Sequence, residues 1–413
     1  MKTTPRNQFR TQKTGPQGHK LRRNQALAIP IAGLVAGVAY GGQTADLEKD
    51  LVPAKSTSTF DSIWVLANIY KDDSNPILQE FKLRGRYQGQ LHSTDADQGA
   101  DSDWEDRRSR LGFDAKLFEK QVEIRLDFQS NDGFRDFYDG LVDAYIRWKP
   151  TNTLTFTAGK TKPLIGHYDW LEPTITQPTF ERSQIFNQLN INRATAFTAE
   201  GSVDAFSWRA GIYSNDTPAT TGGTCSFGDG EFGDLDGGFA YSAGIGYDFK
   251  DQLGIDQALV RIDWLHSDRE AGDLVLGRYD DIISGTFWAK EGNAALVVEA
   301  FHARGGDGAN TDVFGFFIQP TYDIVPGKFQ LVGRYSYAQS DGATGVRPQN
   351  RYETTAGALR GDSYHAIYAG GQYFIYGDKL KLLAGAEYSA LGQNSGVDRY
   401  DGYTFLTGLR FSF

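Results

Sequence analysis

The sequence predicts an all-β protein, a transmembrane antiparallel β-barrel of about 16 strands. Three observations predict it. From Phe81 onward, segment after segment alternates an apolar face with a charged one. The connections between those segments alternate short and long. Beyond the N-terminal region, no stretch approaches the roughly 18 consecutive apolar residues of a membrane helix. A membrane-embedded form must therefore be a closed barrel, the other arrangement that pairs every backbone group in lipid.

Residues 1–25 hold Lys2, Arg6, Arg10, Lys13, Lys20, Arg22 and Arg23 and no acid, and an apolar run follows from Ala26 to Ala39. That run is short and is interrupted by Pro30 and glycines. Residues 1–41 thus read as a secretory signal peptide, with Ala39 and Gly41 as the small residues before a cleavage near Gly41. Without it, Lys+Arg fall from 42 to 35 against 52 Asp+Glu, a formal net charge of −17. So acidic an exported chain argues against nucleic acid as a partner. Residues 42–80 form a polar lead-in. Within it Phe60, Ile63, Trp64, Ala67 and Tyr70 recur at helical spacing, which predicts a short amphipathic helix.

The barrel is expected over 81–413. In 81–91, Phe81, Leu83, Gly85, Tyr87, Gly89 and Leu91 share one face, with Lys82, Arg84, Arg86, Gln88 and Gln90 on the other. In 121–130, Val122, Ile124, Leu126 and Phe128 oppose Glu123, Arg125 and Asp127; in 141–149, Val142, Ala144, Ile146 and Trp148 oppose Asp143, Tyr145, Arg147 and Lys149. Such two-sided strands fit between hydrocarbon and water. Further segments are read at 107–118, 153–161, 194–203, 206–213, 239–249, 258–266, 281–290, 294–303, 313–323, 328–338, 362–376, 379–390 and 402–413.

Short connections at 119–120, 150–152, 204–205, 291–293 and 377–378 alternate with long ones at 92–106, 162–193, 214–238 and 339–361. Short periplasmic turns and long external loops explain that segregation, whereas a soluble sandwich has no reason for it. The last segment carries Tyr403, Phe405, Leu409, Phe411 and Phe413 on one face, resembling the C-terminal assembly signal of outer-membrane proteins. Trp104, Trp148, Trp170, Trp208, Trp264 and Trp288 lie near strand ends, as interfacial girdles require. The expected location is the bacterial outer membrane, with its lipid and lipopolysaccharide as partners.

A pore needs no catalytic constellation, and none is evident. Cys225 is the single cysteine, so no intrachain disulfide or CxxC site exists; the six His include no HExxH, and no GxSxG occurs. The acidic clusters Asp95, Asp97, Asp101, Asp103 and Asp229, Glu231, Asp234, Asp236 lack EF-hand spacing and read as solvated external loops. No cofactor or metal is expected. By strand parity Lys82, Arg84, Arg86, Arg110, Lys116, Arg125, Arg147 and Lys149 face the lumen, together with Asp114, Glu123, Asp127 and Asp143. Opposite charges on neighbouring strands would pair. The start of this ladder, Lys82–Arg86, reads as uncompensated. The competing readings are an outer-membrane barrel enzyme and an exported carbohydrate-binding β protein.

Trp104–Phe118 (WEDRRSRLGFDAKLF), Asp143–Lys162 (DAYIRWKP…LTFTAGKTK) and the PLIGHYDWLEP…FERS stretch of residues 163–183 resemble the phosphate-selective porin O/P family. The resemblance implies a sixteen-stranded homotrimeric barrel whose long third loop, here Lys162–Arg193, folds into the lumen. It implies diffusion of small hydrophilic solutes, with anion or phosphate preference set by lumenal cations. In that loop Lys160, Lys162, Glu172, Glu181 and Arg182 are the candidates for a constriction, stiffened by Pro163, Pro173 and Pro178.

Overall fold

The computed structural model describes residues 59–131, 136–215, 238–268, 276, 278–305, 310–393 and 395–413. The expected signal peptide, the first part of the lead-in, Cys225 and the second acidic cluster lie outside the described residues.

A helix, α1 (Thr59–Val65), and a short strand, β1 (Asn68–Lys71), precede the long strands. These run β2 (Leu78–Ala96), β3 (Gly99–Leu117), β4 (Val122–Asn131), β5 (Asp136–Thr151), β6 (Leu154–Thr161), β7 (Ala194–Val203), β8 (Phe206–Ser214) and β9 (Phe239–Asp248). They continue as β10 (Gln257–Ser267), β11 (Asp281–Glu291), β12 (Ala294–Arg304), β13 (Val313–Val325), β14 (Phe329–Ser340), β15 (Ser363–Tyr376), β16 (Leu380–Gln393) and β17 (Val397–Ser412). Each pairs antiparallel with the next, and β17 pairs with β2 through Tyr403↔Asp95 and Ser412↔Arg86. The sixteen long strands therefore close a ring.

Alternation assigns the two faces. In β9 and β10 the exposed Tyr241, Ile245, Tyr247, Val260, Ile262 and Trp264 alternate with the buried Ser242, Arg261 and Asp263. An outer face of large apolar side chains and an inner face of polar and charged ones is the barrel pattern for lipid outside and water within. The largest packed cluster lies where the β6–β7 connection meets the inner wall, around Ile165, Trp170, Ile185, Phe186, Leu189 and Phe301. Two short helices punctuate that connection, α2 (Tyr168–Leu171) and α3 (Gln184–Leu189).

Four sequence expectations change. Residues 92–106 are not a loop: β2 and β3 run through them and leave only Asp97-Gln98 between the strands. Nineteen residues at about 3.3 Å each make strands roughly 60 Å long. Even tilted by about 45°, they stand well above the roughly 25 Å apolar band, so their upper ends need no apolar face. Trp170 and Trp288 are not girdle residues. Trp170 is buried against Phe186, and Trp288 contacts the rings of His167 and Tyr168. The helical spacing of 60–70 extends only to Val65, because Tyr70 pairs with Phe81 in β1. Lys160 is not a loop residue. It lies in β6 opposite Ala144 and Thr195, and its side chain is buried.

Candidate functional site: a cation-lined channel interior

The inner wall of β2–β5 brings the candidate cations to adjoining rows. Near the short-turn end they are neutralised. Arg84 binds Asp114 at 2.7 Å and Asp127 at 3.1 Å, and Arg125 binds Asp114 at 2.7 Å and Glu123 at 3.1 Å. Arg147 lies 3.7 Å from Glu123, and Lys116 lies 3.7 Å from Glu80. The expectation of an uncompensated Lys82–Arg86 run therefore fails at its centre. Arg84 has two acids because cross-strand neighbours on β3 and β4 reach it, which a single-strand reading cannot show. Among the described residues, Lys82 has no carboxylate within ion-pair distance.

One row higher the chemistry changes. Arg86 stands directly opposite Arg110, and Gln88 opposite Arg108. Arg86 donates to the Thr174 hydroxyl (3.3 Å), Arg108 to Gln88 (2.9 Å) and Arg110 to Gln129 (3.0 Å). Among the described residues no carboxylate lies within ion-pair distance of Arg86 or Arg108. A bulge between Gln88 and Gly89 inserts Arg107 as an extra residue on β3, and it forks onto Glu181 at 2.6 and 2.9 Å.

Segment 162–193 meets this row. Glu299 of β12 accepts the backbone N–H groups of His167, Tyr168 (3.2 Å) and Asp169 (2.9 Å), and the hydroxyl of Thr286 (2.8 Å). Arg410 of β17 donates to the carbonyls of Thr174 (2.7 Å), Gln177 (2.5 Å), Thr179 (2.6 Å) and Phe180 (3.1 Å). Arg334 of β14 reaches the Glu181 carbonyl at 2.7 Å and the Glu387 carboxylate at 3.2 Å. Two inner-wall glycines admit the segment. A Cβ on Gly315 would come within 2.9 Å of Ile185, and one on Gly408 within 2.8 Å of Phe180. Within the segment Asp169 accepts the N–H and hydroxyl of Ser183, whose oxygen caps α3 by accepting from the N–H of Phe186. Lys162, Arg182 and Arg193 gather around the Trp170 ring at 5.0, 5.0 and 5.6 Å. Arg193 also binds Asp143 at 2.6 Å.

Residues 81–235 match the family model described as phosphate-selective porin O and P. Over that stretch, less than half of its length, the chain is similar to that family. No curated protein matches it by sequence. Solved structures share its fold at low identity. The anion-selective porin from Comamonas acidovorans is 13% identical, with a TM-score of 0.55 over 81% of this chain and 99% of that one. The Salmonella typhi OmpF complex with daunomycin is 14% identical, with a TM-score of 0.55 over 84% and 100%. The outer membrane channel DcaP of Acinetobacter baumannii is 13% identical, with a TM-score of 0.53 over 83% and 99%.

A second segment approaches the same region, between β14 and β15. Arg351 bridges Glu105 of β3 and Glu181, and Tyr352 donates to Glu387 at 3.3 Å. Glu353 is fully buried and accepts the Tyr364 hydroxyl (2.6 Å) and the Gln349 N–H (2.7 Å). Gln188 of α3 donates to the Gly345 carbonyl and accepts the Arg347 N–H, both at 2.8 Å, and so ties the two segments together.

Strand parity finds Arg84, Arg86, Arg110, Lys116, Arg125 and Arg147 on the inner face of the barrel, with Lys82 and Lys149 in step. Of the segment candidates, Lys162 donates to the carbonyls of Trp170 (2.6 Å) and Leu171 (3.1 Å), and Arg182 to that of Asp169 (2.6 Å). Glu172 sits at the end of α2, where burial raises its carboxyl above the usual range. Sequence reasoning missed Arg108, Arg193, Glu299, Arg334 and Arg410, and read 339–361 only as a long external connection. Arg108 shares the inner face of a recognised strand and was findable by parity. The anchors look like any charged strand residue until the segment they hold is in place.

Proposed function

We propose that the protein is a porin, a diffusion channel preferring anions, with segment 162–193 narrowing the lumen beside the row of Arg86, Arg108 and Arg110. The observation that carries this reading is the Arg86–Arg110 pair. Like charges directly opposite on neighbouring strands destabilise a sheet. Such an arrangement in a low-dielectric wall concentrates anions at the narrow point of a pore. Lys162 and Arg182 on the facing segment add to it, while Glu181 and Asp143 are taken up by Arg107 and Arg193. The family description matched by residues 81–235 supports phosphate as one permeant anion. The reading is of a passive channel rather than an enzyme. It includes a homotrimer, as the family resemblance implies, and external loops in contact with lipopolysaccharide.

The test is the reversal potential of the folded protein in a planar bilayer under a potassium chloride gradient, followed by phosphate competition with chloride. An anion-preferring potential that collapses in the Arg86→Ala/Arg110→Ala double variant is expected. A cation-preferring potential in the unaltered protein removes the anion reading. Cross-linking in native membranes tests the trimer.

A further inference from the structure

We infer that α1 and the residues after it form an interfacial anchor lying in the periplasmic leaflet of the outer membrane, against the outside of the barrel. The helix sits on the lipid-facing side. Trp64 packs on Tyr376 at 4.8 Å and on Phe411 at 5.5 Å between ring centroids, and Phe60 stacks on Tyr376 at 5.6 Å. Phe411 pairs with Leu380 and Tyr87, and Tyr376 pairs with Leu380. Two residues on, the same face of the sheet presents Leu382, and further along β17 it presents Phe405, both exposed. The contact therefore lies on the apolar exterior, at the end of the barrel where the turns are short. In barrels of this kind that end faces the periplasm.

The side of α1 turned away from the barrel is apolar as well. Ile63 and Val65 of α1, Leu66 just after it and Ile69 of β1 are 48, 55, 76 and 58% exposed, while the polar Thr59, Asp61 and Ser62 occupy the start of the helix, where Asp61 accepts the Tyr376 hydroxyl. A stretch such as 63–69, with large apolar side chains both packed and turned outward, is normally covered by protein or lipid. A contiguous patch of this kind left in water would be a liability. It is continuous with the lipid-facing wall through Tyr376 and Phe411, which makes hydrocarbon and headgroup the covering medium. The hairpin beyond β1 turns polar at Asp72, Asp73 and Ser74, and Asp73 pairs with Lys120 of the β3–β4 turn at 3.0 Å. Apolar residues thus give way to charged ones within a few positions, as at a membrane boundary.

The full chain in a Cys225→Ser background, folded into phosphatidylcholine vesicles, carries a bimane label on Leu66→Cys, Ile69→Cys or Asp73→Cys in turn. In brominated phosphatidylcholine the Leu66 and Ile69 labels are expected to lose about half their emission and to resist aqueous iodide. The Asp73 label is expected to behave in the opposite way. Iodide quenching of the Leu66 and Ile69 labels equal to that of Asp73 puts the segment in water and overturns the inference. Shielding from both quenchers means that a second copy of the protein covers it, which also overturns it. The two label sites are read separately, so failure of one variant to fold leaves the other decisive.

Discussion

The indole of Trp64 donates a hydrogen bond of 2.6 Å to the backbone carbonyl of Ser412, joining the first described helix to the last strand of the ring. β17 pairs with β2 down to Arg86, and below that point β1 takes over the edge of β2, with Asn68 opposite Lys82. Trp64 thus covers the place where one strand replaces another. Trp64→Phe is expected to lose about 1 kcal/mol for the hydrogen bond. Trp64→Ala should cost roughly 3–5 kcal/mol, because the ring packing goes too. Urea unfolding from vesicles, followed by the heat-modified gel shift, measures both. Equal midpoints for the two variants would show that the ring contacts contribute nothing.

Glu299 binds three consecutive backbone N–H groups at the start of α2. Charge-assisted bonds of this kind are worth about 1.5–3 kcal/mol each. Glu299→Gln keeps the size of the side chain and loses the charge, so residues 167–169 should loosen within an intact barrel. Larger single-channel conductance with more open-channel noise is expected, at unchanged heat-modifiable mobility. Wild-type conductance and noise would assign the hold on this segment to Arg410 and Arg334 instead.

Arg84 and Arg86 carry the same charge in different company. Arg84→Ala leaves Asp127 without its cation, whereas Asp114 keeps Arg125. Arg86→Ala removes a cation that, among the described residues, has no carboxylate within ion-pair distance and donates to the Thr174 hydroxyl instead. The first variant should destabilise the barrel and lower anion preference by adding a bare carboxylate. The second should lower anion preference with stability unchanged or improved, since the repulsion across to Arg110 is relieved. Reversal potentials and unfolding midpoints for both variants separate these outcomes.

Glu353 provides a pH dependence. Burial pushes its carboxyl up to about 7 from an ordinary 4.5, against the hydrogen bonds from Tyr364 and Gln349 that favour the charged form. Glu387 adds repulsion from β16, itself paired with Arg334; Tyr352, Tyr364 and Tyr400 complete the surroundings. A carboxyl raised in the docked state stays protonated there while the undocked one ionises. Docking of 341–362 is therefore fully favoured below about 4.5, weakens as pH rises towards about 7, and levels off above it. Conductance should rise across that window in the unaltered protein and stay flat in Glu353→Gln. A rise that survives in Glu353→Gln would place the titrating group elsewhere.

The sequence by itself determined the ring. Period-two alternation needs only neighbouring residues, and the sixteen segments it marks match the sixteen long strands within a few positions, except where β2, β3, β5 and β17 extend further. It also placed Arg84, Arg86, Arg110, Arg125 and Arg147 on the inner wall, because parity alone decides a side. What it could not decide was which of those cations keep their charge unbalanced. That depends on register across strands, where Arg84 meets two acids and Arg86 meets another arginine. Nor could it distinguish Glu299 and Arg410 from ordinary wall residues, since the N–H and carbonyl groups they bind come from a segment more than a hundred residues away in the chain. Local pattern encodes which face a residue takes, and only the closed barrel decides what stands across from it.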